Sequence, residues 1–103
     1  MPDVFQVISD PNRREMMMLL SKESMTINTL AEHFDMSRPA VSKHLKMMHN
    51  AGFITIKDIG RERHCHLNPD GFNELQSFIS YFEGFWHNKL KKLDSILKNK
   101  AKK

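Results

Sequence analysis

Four side chains in the middle of the chain, Arg38, Ser42, Lys43 and Lys46, have the types and the spacing to recognise a polyanion. At separations of three and four residues they share one face of a helix. A guanidinium in a helix's first turn can bond guanine O6 and N7 together, which makes Arg38 a candidate base reader. Ser42 suits a base edge or a phosphate, and Ala40 is small enough to admit a thymine methyl. Lys43 and Lys46 suit phosphates, which orient a protein on a duplex without reading its sequence. A single surface lysine is as often merely solvated, so the weight lies on the set. His44 borders both faces, and two readings stay open for it: capping the edge of the core, or reaching toward DNA.

These residues need a helix whose other face is fixed. The stretch 26–34 reads as a short amphipathic helix, followed by a break at Asp35-Met36-Ser37. A second helix opens with Ser37 as N-cap and Pro39 in its first turn, where a missing N–H costs nothing. It closes at Ala51-Gly52, with Gly52 available for the left-handed conformation after a helix end. Val41, Leu45 and Met48 then turn inward with Leu30 and Phe34. Two helices joined this tightly over 26–51 predict a helix-turn-helix, whose second helix can enter a DNA major groove. Ser37 and Pro39, at the mouth of that helix, join the candidate DNA-contacting set. Residues 53–57 have the β-branched and aromatic look of a strand, 58–62 a turn, and 63–67 a returning strand. This hairpin over 53–67 predicts a wing, on which Arg61 and Arg63 suit the DNA backbone or minor groove.

Upstream, residues 3–8 carry enough apolar positions for a first helix. Asp10 and Pro11 start a second one as N-cap and first residue, running to about Leu20. Its core candidates are Met16, Met17, Leu19 and Leu20, and the run Met16-Met17-Met18 reads as pliable core. Arg13 and Arg14 have two readings, contact with phosphate or pairing with a neighbouring acid. Residues 21–25 read as a polar connector. Downstream, Asn68 caps and Pro69 begins a single long helix over 69–98. Its apolar stripe runs through Phe72, Leu75, Phe78, Ile79, Phe82, Phe85, Trp86, Leu90, Leu93 and Leu97. A small domain has no core to receive so long a stripe, so the economical partner is a second copy of the chain. Gly84 inside the stripe either permits close helix approach or is a weak spot.

The length of 103 residues predicts a single domain. Residues 37–66 hold six Lys/Arg against two acids, and residues 87–103 hold seven Lys against Asp94. A basic central block on an acidic remainder points to a polyanionic partner, most simply double-stranded DNA. With Cys65 as the one cysteine, an intrachain disulfide framework is excluded and a reducing, cytoplasmic setting is expected. No apolar run is long enough for membrane insertion, and no basic-then-apolar leader opens the chain. There is no phosphate-cradling glycine loop, nucleophile elbow or cysteine with a positioned base, so no catalytic residues and no enzyme are expected. His64-Cys65-His66 alternates across a strand, which points Cys65 away from the two histidines. Cys65 reads as a small buried apolar residue and the histidines as wing surface.

The strings Asp10-Pro11-Asn12-Arg13-Arg14, Leu30-Ala31-Glu32, Ser37 through Lys46, Ala51-Gly52-Phe53-Ile54 and Gly60-Arg61 resemble the ArsR/SmtB repressors in order and spacing. The resemblance implies a mainly α winged helix-turn-helix with a small β-hairpin, dimerising through its first and last helices. Val4 and Phe5 on the first helix, with Phe78, Phe82, Phe85, Trp86, Leu90 and Leu93 on the last, then become the interface candidates. It also implies a homodimeric repressor on an operator of twofold symmetry. The family's metal sensors carry a Cys-x-Cys pair before the recognition helix or paired Asp/His on the last helix. Here the first position reads Thr26-Ile27-Asn28, and the last helix holds only His87 with scattered acids. No metal ligands and no cofactor are therefore expected, leaving a protein or a small organic molecule as effector. The alternative is an interaction module whose aromatic last helix captures another protein, with DNA binding secondary or relieved by sequestration.

Overall fold

Side-chain caps set the helix boundaries. In the computed structural model, which describes residues 3–101, Asp3 caps α1 (Val4–Ile8) and Asp10 caps α2 (Pro11–Lys22) with Pro11 at its first position. Thr26 caps α3 (Ile27–Ala31) by accepting from the Thr29 N–H at 3.1 Å. Ser37 caps α4 (Arg38–Asn50), its Oγ accepting from Ala40 N at 3.3 Å. Lys102 and Lys103 of the basic end lie outside the described residues. The chain divides into two compact units, one ending at Asn73 and the other beginning at Glu74.

In the first unit, β1 (Met25–Thr26), β2 (Ile54–Ile59) and β3 (Glu62–Leu67) form an antiparallel sheet in the order β1-β3-β2. Pairing runs from Ile54↔Leu67 to Ile59↔Glu62, so the wing turn is only Gly60-Arg61, with Gly60 at φ +64°. A glycine with positive φ first in a two-residue loop suits the twist of a hairpin. The expected turn over 58–62 is thus shorter, because the strands pair almost to the tip. The third strand is an addition to the expected hairpin. Met25 and Thr26 pair with Cys65 and His64, and two residues carry no periodicity by which to read a strand.

The core of this unit is Val7, Met16, Leu30, Val41, Leu45, Met48, Phe53, Ile54 and Cys65, all essentially inaccessible to solvent. Met16, Met17 and Leu20 are buried as expected, but Met18 is exposed, since its neighbours' inward face leaves it on the opposite side of α2. Helix α3 stops at Ala31, short of Phe34. His33 N–H bonds Leu30 O at 3.1 Å and Phe34 N–H bonds Ala31 O at 3.1 Å, a three-residue spacing that tightens the chain out of α geometry.

The long final helix also starts later than 69. A 3₁₀ turn occupies Pro69–Phe72, and α5 (Asn73–Ala101) follows. Asn68 explains the tightening. Its Nδ2 donates to Gly52 O at 3.0 Å, its backbone N–H to Phe53 O at 2.8 Å, and its Oδ1 accepts from Asp70 N at 3.3 Å. Phe72 meets Phe53 edge-on, with ring centroids 4.9 Å apart, so it belongs to this junction. Gly71 lies against the Gly52–Phe53 backbone so closely that a Cβ would collide with the Gly52 carbonyl. Gly84, by contrast, has nothing within 4 Å of an added Cβ. Gly71→Ala is therefore expected to destabilise the protein by about 1–3 kcal/mol, while Gly84→Ala raises the helicity of α5. Denaturant midpoints and circular dichroism of the two variants check this contrast.

Candidate nucleic-acid interface

Helix α4 is held by one face. Val41, Leu45 and Met48 are 0%, 1% and 0% exposed, which fixes the rotation of the helix about its axis. Arg38, Ser42, Lys43 and Lys46 lie opposite and are exposed. Pro39 is exposed and Ala40 half-buried beside the Ser37 cap. None of the three cations on this face joins an ion pair among the described residues. On the wing, Arg61 is exposed at the two-residue tip, whereas Arg63 Nε bonds Asp58 Oδ1 at 3.0 Å. That pair is solvent-exposed on both sides, so it costs little to exchange for another anion.

Arg13 resolves two open questions at once. Its side chain is 11% exposed. Nε donates to Val7 O at 2.7 Å, Nη2 to Gln6 O at 3.0 Å and Nη1 to His44 Nδ1 at 3.2 Å. Arg14 Nη1 donates to Ile8 O at 2.7 Å. The two arginines donate to the Val7 and Ile8 carbonyls at the end of α1 and add to the Ser9 bonds already on Gln6 O, meeting the need every helix C-terminus has. The nearest acid to Arg13 is Asp10, at 3.8 Å. His44 sits half-buried at the core edge. Because a guanidinium can only donate, its Nδ1 accepts and its ring proton rests on Nε2.

Between α4 and the wing lies a groove of about 420 Å³, lined by Ile27, Ser42, Leu45, Lys46, His49, Asn50, Ile56 and Arg63. His49 and Asn50 were not singled out in the sequence. The signal was present, since Ser42, Lys46 and His49 continue one ridge at i, i+4 and i+7.

The stretch Thr26-Ile27-Asn28 is given over to structure: Thr26 is a cap and Ile27 is buried. Cys65 is fully buried, and that burial pushes its thiol pKa up, with Arg63 acting in the opposite direction. His64 and His66 are less exposed than a wing-surface reading implies. His66 Nδ1 lies 2.6 Å from Ser24 Oγ, its Nε2 is buried without a partner among the described residues, and His64 lies 3.8 Å from Glu62. Among the described residues no group of three or more His, Cys, Asp or Glu is gathered to hold a metal ion.

The second unit is α5. Along it Phe78, Phe82, Phe85, Trp86, Leu90 and Leu93 are 39–62% exposed. Their rings contact one another, with centroids 5.0 Å apart for Phe78–Phe82 and 5.7 Å for Phe85–Trp86, and Lys89 lies over Phe85. Tyr81 and Ile96, also exposed, extend the apolar surface beyond the expected stripe. On α1, Val4 is buried within the single chain and Phe5 is half-buried.

The sequence profile described as "Bacterial regulatory protein, arsR family" matches residues 10–55. The chain is 37% identical over 84 residues to the "Transcriptional repressor SdpR" of Bacillus subtilis (strain 168), covering 78% of this chain and 93% of that protein. The chain belongs to the ArsR family. This ArsR-family chain is also 34% identical over 67 residues to an "Arsenical resistance operon repressor" of Staphylococcus xylosus, covering 65% and 64% of the two proteins. Its fold superposes with a TM-score of 0.74 on the crystal structure of a "Possible transcriptional regulator for arsenical resistance", 36% identical and covering 92% and 96% of the two chains. It is a transcriptional regulator of winged helix-turn-helix fold and not an enzyme. No helix among the described residues is long and apolar enough to cross a membrane.

The Asp10 that opens the matched region makes a testable contribution. Desolvation works against its charge, but bonds from the Arg13 and Asn12 N–H groups and the Arg13 charge prevail and lower its pKa below 3.8. A carboxylate lowered on folding stabilises above its unfolded pKa, and that stability is lost as pH falls through the folded value. Asp10→Ala is expected to cost about 1 kcal/mol at pH 7, with the gap to wild type shrinking below about pH 4. Asp10→Asn should keep most of the cap. Urea unfolding of the three proteins at pH 7 and pH 3.5 checks both statements.

Proposed function

We propose that this ArsR-family regulator is a homodimeric repressor that binds an operator of twofold symmetry and does not sense metal. The observation that carries the reading is the rotational setting of α4. Its apolar face is sealed in the core, the face bearing Arg38, Ser42, Lys43 and Lys46 is exposed, and Ser42 and Lys46 share a groove with Arg63 of the wing. Arg38 reads a guanine edge, Ser42 a base edge or phosphate, and Ala40 a thymine methyl. Ser37 and Pro39 shape the approach at the helix mouth. Lys43, Lys46, Arg61 and Arg63 hold the backbone and set the register, while His44 stays with Arg13 at the core edge. The supporting relatives are named as repressors.

The apolar surface of α5 supports the dimer, because a stripe of this extent is larger than monomers usually leave in water. Phe78, Phe82, Phe85, Trp86, Leu90 and Leu93 form the interface, with Phe5 contributing from α1. Val4, buried in its own chain, supports that helix from beneath. Two recognition helices about 34 Å apart then address successive major grooves. The cap and core roles of Thr26 and Ile27 support a signal other than metal, carried by a protein or a small organic molecule.

Arg38→Ala is expected to cost about 1–3 kcal/mol in operator affinity and to relax preference at one base pair per half-site. Lys46→Ala should weaken all sequences alike and lower the salt slope by about 1. Competition binding against single-base operator variants separates the two, and an equal loss on every sequence for Arg38→Ala would contradict its base-reading role. Trp86→Ala should weaken self-association by roughly tenfold or more. Sedimentation velocity reads this directly, and an unchanged profile would contradict the α5 interface.

A further inference from the structure

The groove between α4 and the wing has an apolar floor of Ile27, Leu45 and Ile56 and a polar rim of Ser42, Lys46, His49 and Arg63. Lys46 and Arg63 are the charged groups facing His49 there, and Asp58 on β2 is already bound to Arg63. Helix α3 contributes only Ile27 to the lining. His49 is constrained in one respect: its Nδ1 lies 3.2 Å from the Ile54 carbonyl oxygen. A carbonyl only accepts, so Nδ1 carries the proton and a neutral His49 offers Nε2 to the groove as an acceptor. An acceptor beside two cations is the wrong partner for an anion. The imidazolium form donates from both nitrogens, keeping the Ile54 bond while adding a charge-assisted bond to a phosphate.

The geometry points to a phosphodiester-binding site in this groove, in which Ser42, Lys46, His49 and Arg63 hold one DNA backbone phosphate and His49 takes up a proton as the duplex binds. The inference rests on the DNA-binding reading and deepens it by making operator affinity depend on pH. The bound phosphate favours the imidazolium beside it, so affinity rises as pH falls and weakens as pH rises.

The test is binding of the purified chain to its own upstream duplex from pH 8 to pH 6 at fixed ionic strength. Affinity is expected to rise by about tenfold per protomer over this interval. His49→Asn places an amide N–H where Nδ1–H donates to Ile54 but has nothing at Nε2, and it should bind with most of that pH dependence removed. His49→Arg should bind tightly and independently of pH. Calorimetry of the wild type near pH 7, in two buffers of different ionisation enthalpy, reads proton uptake directly and stands even where a variant fails to fold. Tight, selective binding that is flat with pH and takes up no proton overturns this inference alone. So does a His49→Asn protein that keeps the full pH dependence. Absence of binding to any duplex at any pH overturns the DNA-binding reading together with it.

Discussion

The burial of one face of α4 is the constraint on which the rest depends. Val41, Leu45 and Met48 are sealed from water, each worth about 1.5–3 kcal/mol relative to exposure. A helix pinned in this way cannot rotate without exposing that surface. The opposite face is therefore presented at a fixed angle before any ligand arrives, which is the preorganisation that recognition needs. Both ends are also held. Ser37 satisfies an N–H in the first turn. At the far end Gly52, at φ +87°, turns the chain into β2 while its carbonyl is taken by Asn68.

The same logic links the wing and the first two helices to α4. Asn68 follows β3 directly, so its bonds to Gly52 and Phe53 tie the return strand of the wing to the exit of the helix. Arg13 does the corresponding work at the other side, joining the end of α1, the start of α2 and His44 on α4 through three hydrogen bonds and one ion pair. Its guanidinium has five donors in a rigid fork, which is why a single side chain can satisfy two carbonyls and an imidazole. One side chain thus bonds both α1 and α4.

Legibility in the sequence followed the range of the interaction. The caps Asp10 and Ser37, the prolines that follow them, and the inward triplet of α4 are local signals, and all are where pattern placed them, whereas Thr26, read as the first residue of its helix, is instead its cap. The third strand was not legible, because Met25-Thr26 is a strand only by virtue of pairing with β3. Nor was the 3₁₀ turn before α5, which depends on Gly71 meeting a backbone nineteen residues earlier at Gly52. The roles of Arg13 and Arg14 stayed open for the same reason: their acceptors are carbonyls, which every residue has and no sequence advertises. On the candidate surface, the outward face of α4 was readable from spacing, the ridge that includes His49 among it, while the bond that holds the His49 ring comes from the carbonyl of Ile54 across the turn.

The central claim is that the outward face of α4 and the wing form a DNA-reading surface that works without a metal. The most direct measurement is binding of the metal-free protein to its own upstream DNA and to a scrambled duplex of the same composition, each across a salt series and with and without added zinc. The account predicts tight binding to the upstream duplex, a smaller affinity for the scrambled one at every salt concentration, and no change on adding zinc. Equal, weak binding to both duplexes, lost together as salt rises, would contradict it and leave only attraction to phosphate.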